Sequence, residues 1–345
     1  MKHLKLTIAA AGFGVMSALV MGAAHAADAV SIAVVNASSD AALFIAQDKG
    51  YYKAEGIDAS FVEFDSGAKM TAPLGAGQLD VGGGAASAGL YNAVERGIKI
   101  RIVADKAHNI PNAGFQAFMV RKDLIDSGKV KTLADLKGEK IAITAAGSSD
   151  ASVLNEAMKS VGLTYNDVEK VYLGFPQHGP AFQNGAIAAA ISTEPTVSNL
   201  IKLGAAVRFM GNDAFYPNAQ TATILYSGEF AEKRPDVARR FMKAYLRAVR
   251  DFNDALVGGR LQGPGAEDLV KIIAKYSVIK NEETIRSMFM HGCDPNGALN
   301  VDSLRKDLAF FKDVGDVKGN VSVDQVVDQS FVQAALKELG PYTKK

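Results

Sequence analysis

The sequence has one cysteine, no tryptophan and almost equal numbers of acidic and basic residues. Because Cys293 is alone, the chain has no internal disulfide framework and no cysteine-based metal site. The 38 basic residues against 37 acidic ones give no positive excess of the kind that binds nucleic acid or an anionic membrane. No run of about 20 apolar residues follows residue 24, so no membrane-spanning helix is expected after it.

The first 26 residues have the pattern of a secretory signal peptide. Lys2 and Lys5 form a basic start, residues 6–24 are apolar, and Ala24-His25-Ala26 is a small-residue cleavage site. We predict cleavage before Ala27. Because no cysteine stands at that point to carry a lipid, we expect a protein of the bacterial periplasm without a lipid anchor. We also expect this protein to be a monomer.

The tetrapeptide Ser-Ser-Asp-Ala occurs twice, at residues 38–41 and 148–151. Each copy follows a short apolar run and precedes apolar residues at helical spacing, which predicts a strand, a tight turn and a helix start. Helix N-termini direct unpaired N–H groups and a partial positive charge at the carboxyl ends of parallel strands, where ligands of α/β proteins bind. Two such corners predict a shared cleft, although each copy alone is also explained as a helix cap.

Strand and helix patterns alternate in two series, which predicts an α/β fold with two lobes. We expect lobe one to comprise residues 27–115 plus 225–345 and lobe two to comprise residues 116–224. Each lobe is expected to hold a mixed sheet flanked by helices, and a helical C-terminal extension is expected to pack around lobe one. The predicted helices of this extension span residues 235–257, 267–276, 282–289, 303–314 and 324–339.

Several motifs resemble those of one known family. They are A-Q-D-K-G-Y-Y-K-A-E-G-I at 46–57, L-G-A-G-Q-L-D-V at 74–81, V-R-K-D-L at 120–124, L-A-D-L-K-G-E-K-I-A at 133–142 and T-E-P at 193–195. Their order is similar to that of the periplasmic solute-binding proteins of ABC importers in the nitrate/sulfonate/taurine group (SsuA/THI5-like). The sequence departs from many members at Ala188, where they have an acidic residue, and it lacks the cysteine-rich motif of the thiamine-pyrimidine relatives.

The resemblance implies a two-lobed periplasmic-binding-protein type II fold that binds a small-molecule solute between its lobes. It also implies an inner-membrane ABC permease, with its cytoplasmic ATPase, as the partner. We expect no enzymatic activity, cofactor, metal or nucleic-acid partner.

Small residues and hydroxyls in the predicted loops favour a small anionic organic solute, such as a sulfonate or carboxylate. None of these loops contains an arginine, so bidentate recognition would have to come from elsewhere. A nitrate-like anion, an aromatic carboxylate and a neutral heterocycle remain alternatives. The predicted ligand-binding residues are Asn36, Ser38, Ser39, Ser66, Gly67, Ala86, Ser87, Asn109, Gly147, Ser148, Ser149, Gln177, His178 and Glu194.

A second hypothesis of another class is a secreted serine hydrolase. Ala85-Ala86-Ser87-Ala88-Gly89 resembles a nucleophile elbow between a strand and a helix, and Asp150 and His178 follow in the order that hydrolases use. No oxyanion-hole signature accompanies the elbow, since the glycines at 82–84 lie on the wrong side of the serine.

Overall fold

Two five-stranded sheets with flanking helices form the frame of residues 26–345, the part of the chain that the computed structural model describes. The predicted signal peptide therefore falls, except for Ala26, outside the described residues. Strand and helix alternate as the sequence predicts, because each apolar run is followed by turn residues and then by apolar residues at helical spacing. The predicted two-lobed α/β architecture with mixed sheets is confirmed.

The first sheet contains the strand that precedes the first Ser-Ser-Asp corner. Its strands are β1 (Asp28–Val34), β2 (Ile57–Glu63), β3 (Val81–Gly84), β4 (Ile100–His108) and β10 (Gln220–Ser227). The order is β2-β1-β3-β10-β4, with β1 parallel to β2 and β3, and β10 antiparallel to both of its neighbours. The helices between these strands are α1 (Ala41–Asp48), α2 (Tyr51–Ala54), α3 (Thr71–Gly75) and α4 (Ala88–Glu95).

The second sheet repeats this arrangement around the second corner. Its strands are β5 (Gln116–Arg121), β6 (Lys140–Ile143), β7 (Glu169–Tyr172), β8 (Ala189–Thr193) and β9 (Ala206–Gly211), in the order β7-β6-β8-β5-β9. Strand β6 is parallel to β7 and β8, whereas β5 is antiparallel to β8 and β9. Its helices are α5 (Lys122–Asp126), α6 (Ser149–Lys159), α7 (His178–Gln183) and α8 (Thr196–Lys202).

Two crossovers join the lobes, at residues 109–115 and 212–219. At the first crossover, Asn109 donates its side-chain amide to the carbonyl of Tyr216 in the second crossover, over 3.0 Å. The whole of β10 pairs within the first sheet, so residues 220–224, which the expected division gives to lobe two, lie in the sheet of lobe one.

The C-terminal part of the chain is largely helical. Helix α10 begins with Pro235 in its first turn and buries one face, including Phe241, Tyr245 and Phe252, against the first lobe. The elements of this part are α9 (Gly228–Lys233), α10 (Pro235–Ala255), β11 (Leu256–Val257), β12 (Arg260–Leu261), α11 (Ala266–Tyr276), α12 (Glu282–Ser287), α13 (Val301–Asp313) and α14 (Ser330–Leu339).

The extension contacts the second lobe in addition to lobe one, around which it is expected to pack. Helix α13 lies against α4 of the first lobe and also against α6 of the second. Its Asp307 accepts a hydrogen bond of 2.5 Å from the hydroxyl of Ser152 in α6. The extension therefore bridges the two lobes.

One predicted helix of the extension ends earlier than expected, and another begins later. Helix α10 stops at Ala255 because Gly258 and Gly259, both at positive φ, turn the chain into the β11–β12 hairpin. The helix predicted at 324–339 begins only at Ser330. Residues before it run along the free edge of β4, where Val326 accepts from the N–H of Ile102.

None of the helices in residues 26–345 is both long and apolar enough to cross a membrane.

Candidate functional site

The carboxyl ends of parallel strands from both lobes meet around a small cavity, which we call the inner cavity. Its volume is about 50 Å³, enough for a few water-sized groups. Among the described residues that line it there is no lysine, arginine or histidine. Its polar lining residues are Ser39, Ser66, Ser87, Gln116, Thr144, Ser148, Ser149, Asp150, Thr193 and Thr221.

The first Ser-Ser-Asp corner reaches the cavity through Ser39. Lys106 of β4 is completely buried, and its ammonium donates to Ser39 Oγ over 3.0 Å and pairs with Asp40 Oδ1 at 2.8 Å. Asp40 also accepts from the N–H groups of Val35 and Ala37, each over 3.1 Å. Because Lys106 occupies an acceptor position of Ser39, the hydroxyl proton of Ser39 is free to point elsewhere as a donor.

The second corner forms the start of α6. Asp150 accepts from the N–H of Thr144 over 2.6 Å and from the Thr144 hydroxyl over 2.9 Å, which ties the helix start to the end of β6. Ser148 donates to the carbonyl of Ala145 over 2.7 Å. Both serines of this corner line the inner cavity. The N-terminal N–H groups of an 11-residue helix thus begin at the cavity.

The two lobes touch each other directly at the rim, so the cleft is closed. The N–H of Ser38 donates to the carbonyl of Glu194 over 2.9 Å, and the N–H of Ala88 donates to the carbonyl of Gly147 over 2.8 Å. Gly147 has a φ of +62°, and a Cβ at this position would lie 2.4 Å from the Cβ of Ala88. Glycine therefore permits both the turn and the close approach of the lobes.

A wider groove adjoins the inner cavity and shares Val35, Ala37, Phe175 and Thr193 with it; we call it the outer groove. Its volume is about 580 Å³. Apolar side chains from both lobes and from the C-terminal extension line it, among them Phe64, Phe175, Leu203 and Val278. A ligand too large for the inner cavity could extend into this groove.

The structure brings about half of the predicted site residues to the inner cavity. These are Ser39, Ser66, Gly67, Ser87, Ser148 and Ser149. Asn36 lines the outer groove, while Ser38 and Gly147 make the contacts between the lobes. The remaining predicted residues, which line neither the inner cavity nor the outer groove, are Ala86, Asn109, Gln177, His178 and Glu194.

His178 is completely buried in the core of the second lobe, so the prediction that it contacts the ligand is wrong. Its Nε2 donates to the carbonyl of Leu173 over 3.1 Å, and its Nδ1 accepts from the Ser192 hydroxyl over 2.8 Å. Burial lowers the pKa of His178 to about 4, which keeps the ring neutral. His178 is the first residue of α7 and not part of a free loop, and its side chain points into the core of the second lobe.

The other four predicted ligand-binding residues that line neither the inner cavity nor the outer groove contact other parts of the protein instead. The buried carboxylate of Glu194 pairs with Arg208 at 2.9 Å and accepts from the N–H of Ser198, on the opposite side of α8 from the outer groove. Gln177 accepts from the N–H of Gly174. Asn109 holds the crossovers together, as described above, and Ala86 packs in the core.

The geometry contradicts the serine hydrolase hypothesis. Ser87 Oγ caps α4 by accepting from the N–H of Leu90 over 3.2 Å, and its other side-chain neighbour is the hydroxyl of Thr71 at 3.4 Å. No histidine in residues 26–345 hydrogen-bonds to Ser87. Since His178 and Asp150 are bonded elsewhere, the three residues do not form a catalytic triad.

The predicted site residues leave out five polar residues that line the inner cavity and one lysine that lies behind it; they are Gln116, Thr144, Asp150, Thr193, Thr221 and Lys106. Lys106 lies in β4 together with Arg101, Asp105 and His108, so no local pattern marks it as the residue that pairs with Asp40. Gln116 opens β5 at the first crossover and lines the inner cavity. No local pattern distinguishes Gln116 from an exposed strand residue.

Within residues 26–345, no group of three or more histidine, cysteine, aspartate or glutamate residues is arranged to hold a metal ion.

A family model and two known proteins match most of this chain and agree on its family. The family model described as NMT1/THI5 like matches residues 37–254, more than half of the chain. The chain is 29% identical over 306 residues to a protein of Bacillus subtilis (strain 168) named aliphatic sulfonates-binding protein, covering 86% of this chain and 85% of that one. It is 26% identical over 231 residues to the taurine-binding periplasmic protein of Escherichia coli (strain K12), covering 66% and 68% of the two chains.

Among solved structures, the periplasmic nitrate-binding protein NrtA of Synechocystis PCC 6803 matches with a TM-score of 0.74 at 15% identity. That match covers 91% of this chain and 89% of the other. At this identity the match shows the fold alone, which is that of periplasmic binding proteins, as the sequence motifs imply.

Proposed function

The chain belongs to the NMT1/THI5-like family, and we propose that it is the substrate-binding protein of an ABC importer. It captures a small anionic organic solute, such as a sulfonate or carboxylate, and delivers it to an inner-membrane permease. The observation that carries this proposal is the inner cavity itself, which both Ser-Ser-Asp corners help to enclose between touching lobes. The chemistry is capture and release, without a covalent step.

The donors of the inner cavity suit an oxyanion. Serine and threonine hydroxyls from both lobes line it, and the first N–H groups of α6 begin beside it. Hydroxyl and backbone N–H donors together with a helix N-terminus favour negative charge without needing an arginine. The ammonium of Lys106 lies behind Ser39 and adds a positive charge close to the cavity, although Asp40 compensates it.

Closure of the lobes couples binding to delivery. The hydrogen bonds Ser38–Glu194 and Ala88–Gly147 exist only when the lobes meet, and a solute that contacts both corners favours that state. Opening requires the crossovers at 109–115 and 212–219 to move as hinges. A permease can then distinguish the loaded, closed surface from the open one.

The relatives indicate which solutes to test first. The named ligands of the proteins compared above are aliphatic sulfonates, taurine and nitrate. The outer groove offers apolar surface for an alkyl or aromatic portion of the solute that the inner cavity cannot hold. We place the protein in the periplasm, as a monomer released by signal cleavage.

A thermal-shift screen of residues 27–345 against sulfonates, carboxylates and nitrate tests this function. A solute at about 100 times its dissociation constant is expected to add roughly 2.7 kcal/mol to the free energy of unfolding. Small-angle scattering with and without that solute should show a more compact particle in its presence. No stabilisation by any of these classes, or stabilisation without compaction, would contradict the proposal.

A further inference from the structure

A second groove lies between lobe two and the C-terminal extension; we call it the arginine groove, after Arg208 and Arg260, which line it. Its volume is about 510 Å³. It shares no lining residue with the inner cavity or with the outer groove. The two grooves use different faces of α8, because Ser198 and Lys202 line this one whereas Asn199 lines the other. A ligand in the arginine groove would therefore not occupy the solute site.

The two arginines approach one aromatic ring from the two walls of this groove. Arg208 belongs to β9 of lobe two, and its guanidinium carbon lies 5.3 Å from the centroid of the Phe289 ring. Arg260 belongs to β12 of the extension, and its guanidinium carbon lies 4.1 Å from the same centroid. Leu261, which follows Arg260, is buried in the core of lobe one. The two guanidinium groups therefore come from different lobes.

Only one of these guanidinium groups has a counter-charge. Arg208 pairs with Glu194 at 2.9 Å and also donates to the carbonyl of Gly114 in the first crossover. The second carboxylate oxygen of Glu194 accepts from the N–H of Ser198 over 3.0 Å, so both oxygens of this buried group have partners. Arg260 forms no hydrogen bond and no ion pair with any of residues 26–345. Its N–H donors and its positive charge are therefore available to a ligand.

Positive charge is in excess along the arginine groove. Lys202, Arg208 and Arg260 line it, against the carboxylates of Glu194 and Glu283, and Glu283 pairs with neither arginine. Burial lowers the pKa of Arg208, Glu194 raises it, and the nearby charge of Arg260 lowers it again. The two guanidinium groups are thus close enough to repel each other. An anion between them would relieve this repulsion.

We propose that the arginine groove is a second anion site, separate from the solute site, and that it binds a phosphate-type dianion between Arg208 and Arg260. This class includes inorganic phosphate and phosphomonoesters, which carry about two negative charges at neutral pH. The planar fork of a guanidinium group matches the oxygens of a phosphate group, and one dianion can accept from both arginines. Because the two arginines belong to different lobes, the bound dianion holds the lobes together and favours the closed state.

Calorimetric titration of residues 27–345 with inorganic phosphate and with methyl phosphate tests the site, at an ionic strength held constant with potassium chloride. We expect the parent protein to bind phosphate and Arg260→Gln to bind it at least about tenfold more weakly. Arg239→Gln is the matched control, because Arg239 is an exposed arginine of α10 outside the groove, and it should bind phosphate as the parent protein does. Comparable or tighter binding of methyl phosphate would assign the site to phosphomonoesters, and preference for phosphate would assign it to the free ion.

Three results would overturn this inference. They are the absence of phosphate binding to the parent protein, equal phosphate affinity of the parent protein and Arg260→Gln, and an equal loss of affinity in Arg239→Gln, which would indicate unspecific charge attraction. Small-angle scattering should also show that phosphate makes the parent protein more compact but not Arg260→Gln. Binding without compaction would contradict the bridging of the lobes.

A double variant, Ser148→Ala with Ser149→Ala, separates this site from the solute site. Both serines line the inner cavity and neither lines the arginine groove, so the phosphate affinity should be unchanged. A loss of phosphate affinity in this variant would place the phosphate in the inner cavity and overturn the inference. Failure of the solute screen described above would contradict the proposed function but would leave the phosphate result unaffected.

Discussion

Replacing Asp307 with asparagine is expected to make the stability of this protein less dependent on pH. Asp307 lies in α13, and its Oδ1 accepts from the hydroxyls of Ser152 in lobe two, at 2.5 Å, and Tyr216 in the second crossover, at 2.8 Å. The residue is 3% exposed. Asp307 therefore joins the C-terminal extension to lobe two and to the second crossover.

The size of this effect on the free energy of unfolding follows from the raised pKa of the Asp307 carboxyl. Burial raises the pKa of Asp307 from 3.8 to about 7. The hydrogen bonds from Ser152 and Tyr216 lower this pKa, but by less than burial raises it. Nearby Lys306 lowers the pKa, and Glu156 raises it. As pH rises from about 4 to 7, the unfolded chain releases this proton while the folded protein keeps it, so the free energy of unfolding falls. At 1.36 kcal/mol per pH unit the loss reaches about 4 kcal/mol near pH 7 and then levels off.

Urea unfolding at pH 5, 6, 7 and 8 measures this effect. From pH 5 to pH 7 the parent protein should lose about 2 kcal/mol relative to Asp307→Asn, because asparagine cannot ionise. Asp313→Asn is the control, since Asp313 is exposed on the same helix, and it should follow the parent protein at every pH. Parallel stability curves for the parent protein and Asp307→Asn would refute the reasoning, because they would mean that Asp307 titrates normally in the folded state.

Three further substitutions separate binding from folding. Gly147→Ala should lower the free energy of unfolding by about 1–2 kcal/mol, because alanine is strained at positive φ, and should weaken solute binding at least about tenfold, because its Cβ would clash with that of Ala88. Calorimetry should show that the double variant Gly147→Ala with Ala88→Gly partly recovers the affinity, and no recovery would contradict the clash. His178→Leu should destabilise the protein by about 1–3 kcal/mol in urea but leave solute affinity unchanged, whereas a specific loss of affinity would return His178 to the site. Ser87→Ala should cost about 1 kcal/mol in urea unfolding through the lost helix cap, and labelling of the parent protein by a fluorophosphonate probe would revive the hydrolase hypothesis.

Some of the sequence predictions depend only on neighbours along the chain, and these hold well. The second Ser-Ser-Asp corner predicts a strand, a turn and a helix start, and the structure has β6 at Lys140–Ile143 and α6 from Ser149. Apolar periodicity and turn residues decide such elements locally. Predictions fail where a segment distant in sequence offers other backbone hydrogen bonds. Residues 326–328 bond to the edge of β4 instead of forming the predicted helix.

Patterns along the chain were enough to predict the two strand-turn-helix corners, the alternation that builds two lobes, and the family. They did not determine which side chains face the cavity. His178 and Ser149 both stand in polar loops at strand ends, yet one packs into the core and the other lines the cavity, because the direction of each depends on the backbone that surrounds it.

The charge compensation of the two corners depends on contacts between segments that are distant in sequence. Lys106 reaches Ser39 and Asp40 across 67 and 66 residues of sequence, and no lysine reaches Asp150 in the described chain. The pair forms because the fold brings the turn after β1 next to Lys106 of β4, although β3 and β10 lie between these two strands in the sheet, and no local pattern encodes this approach. Two corners with the same four residues therefore differ in charge for a reason that lies in the packing around them.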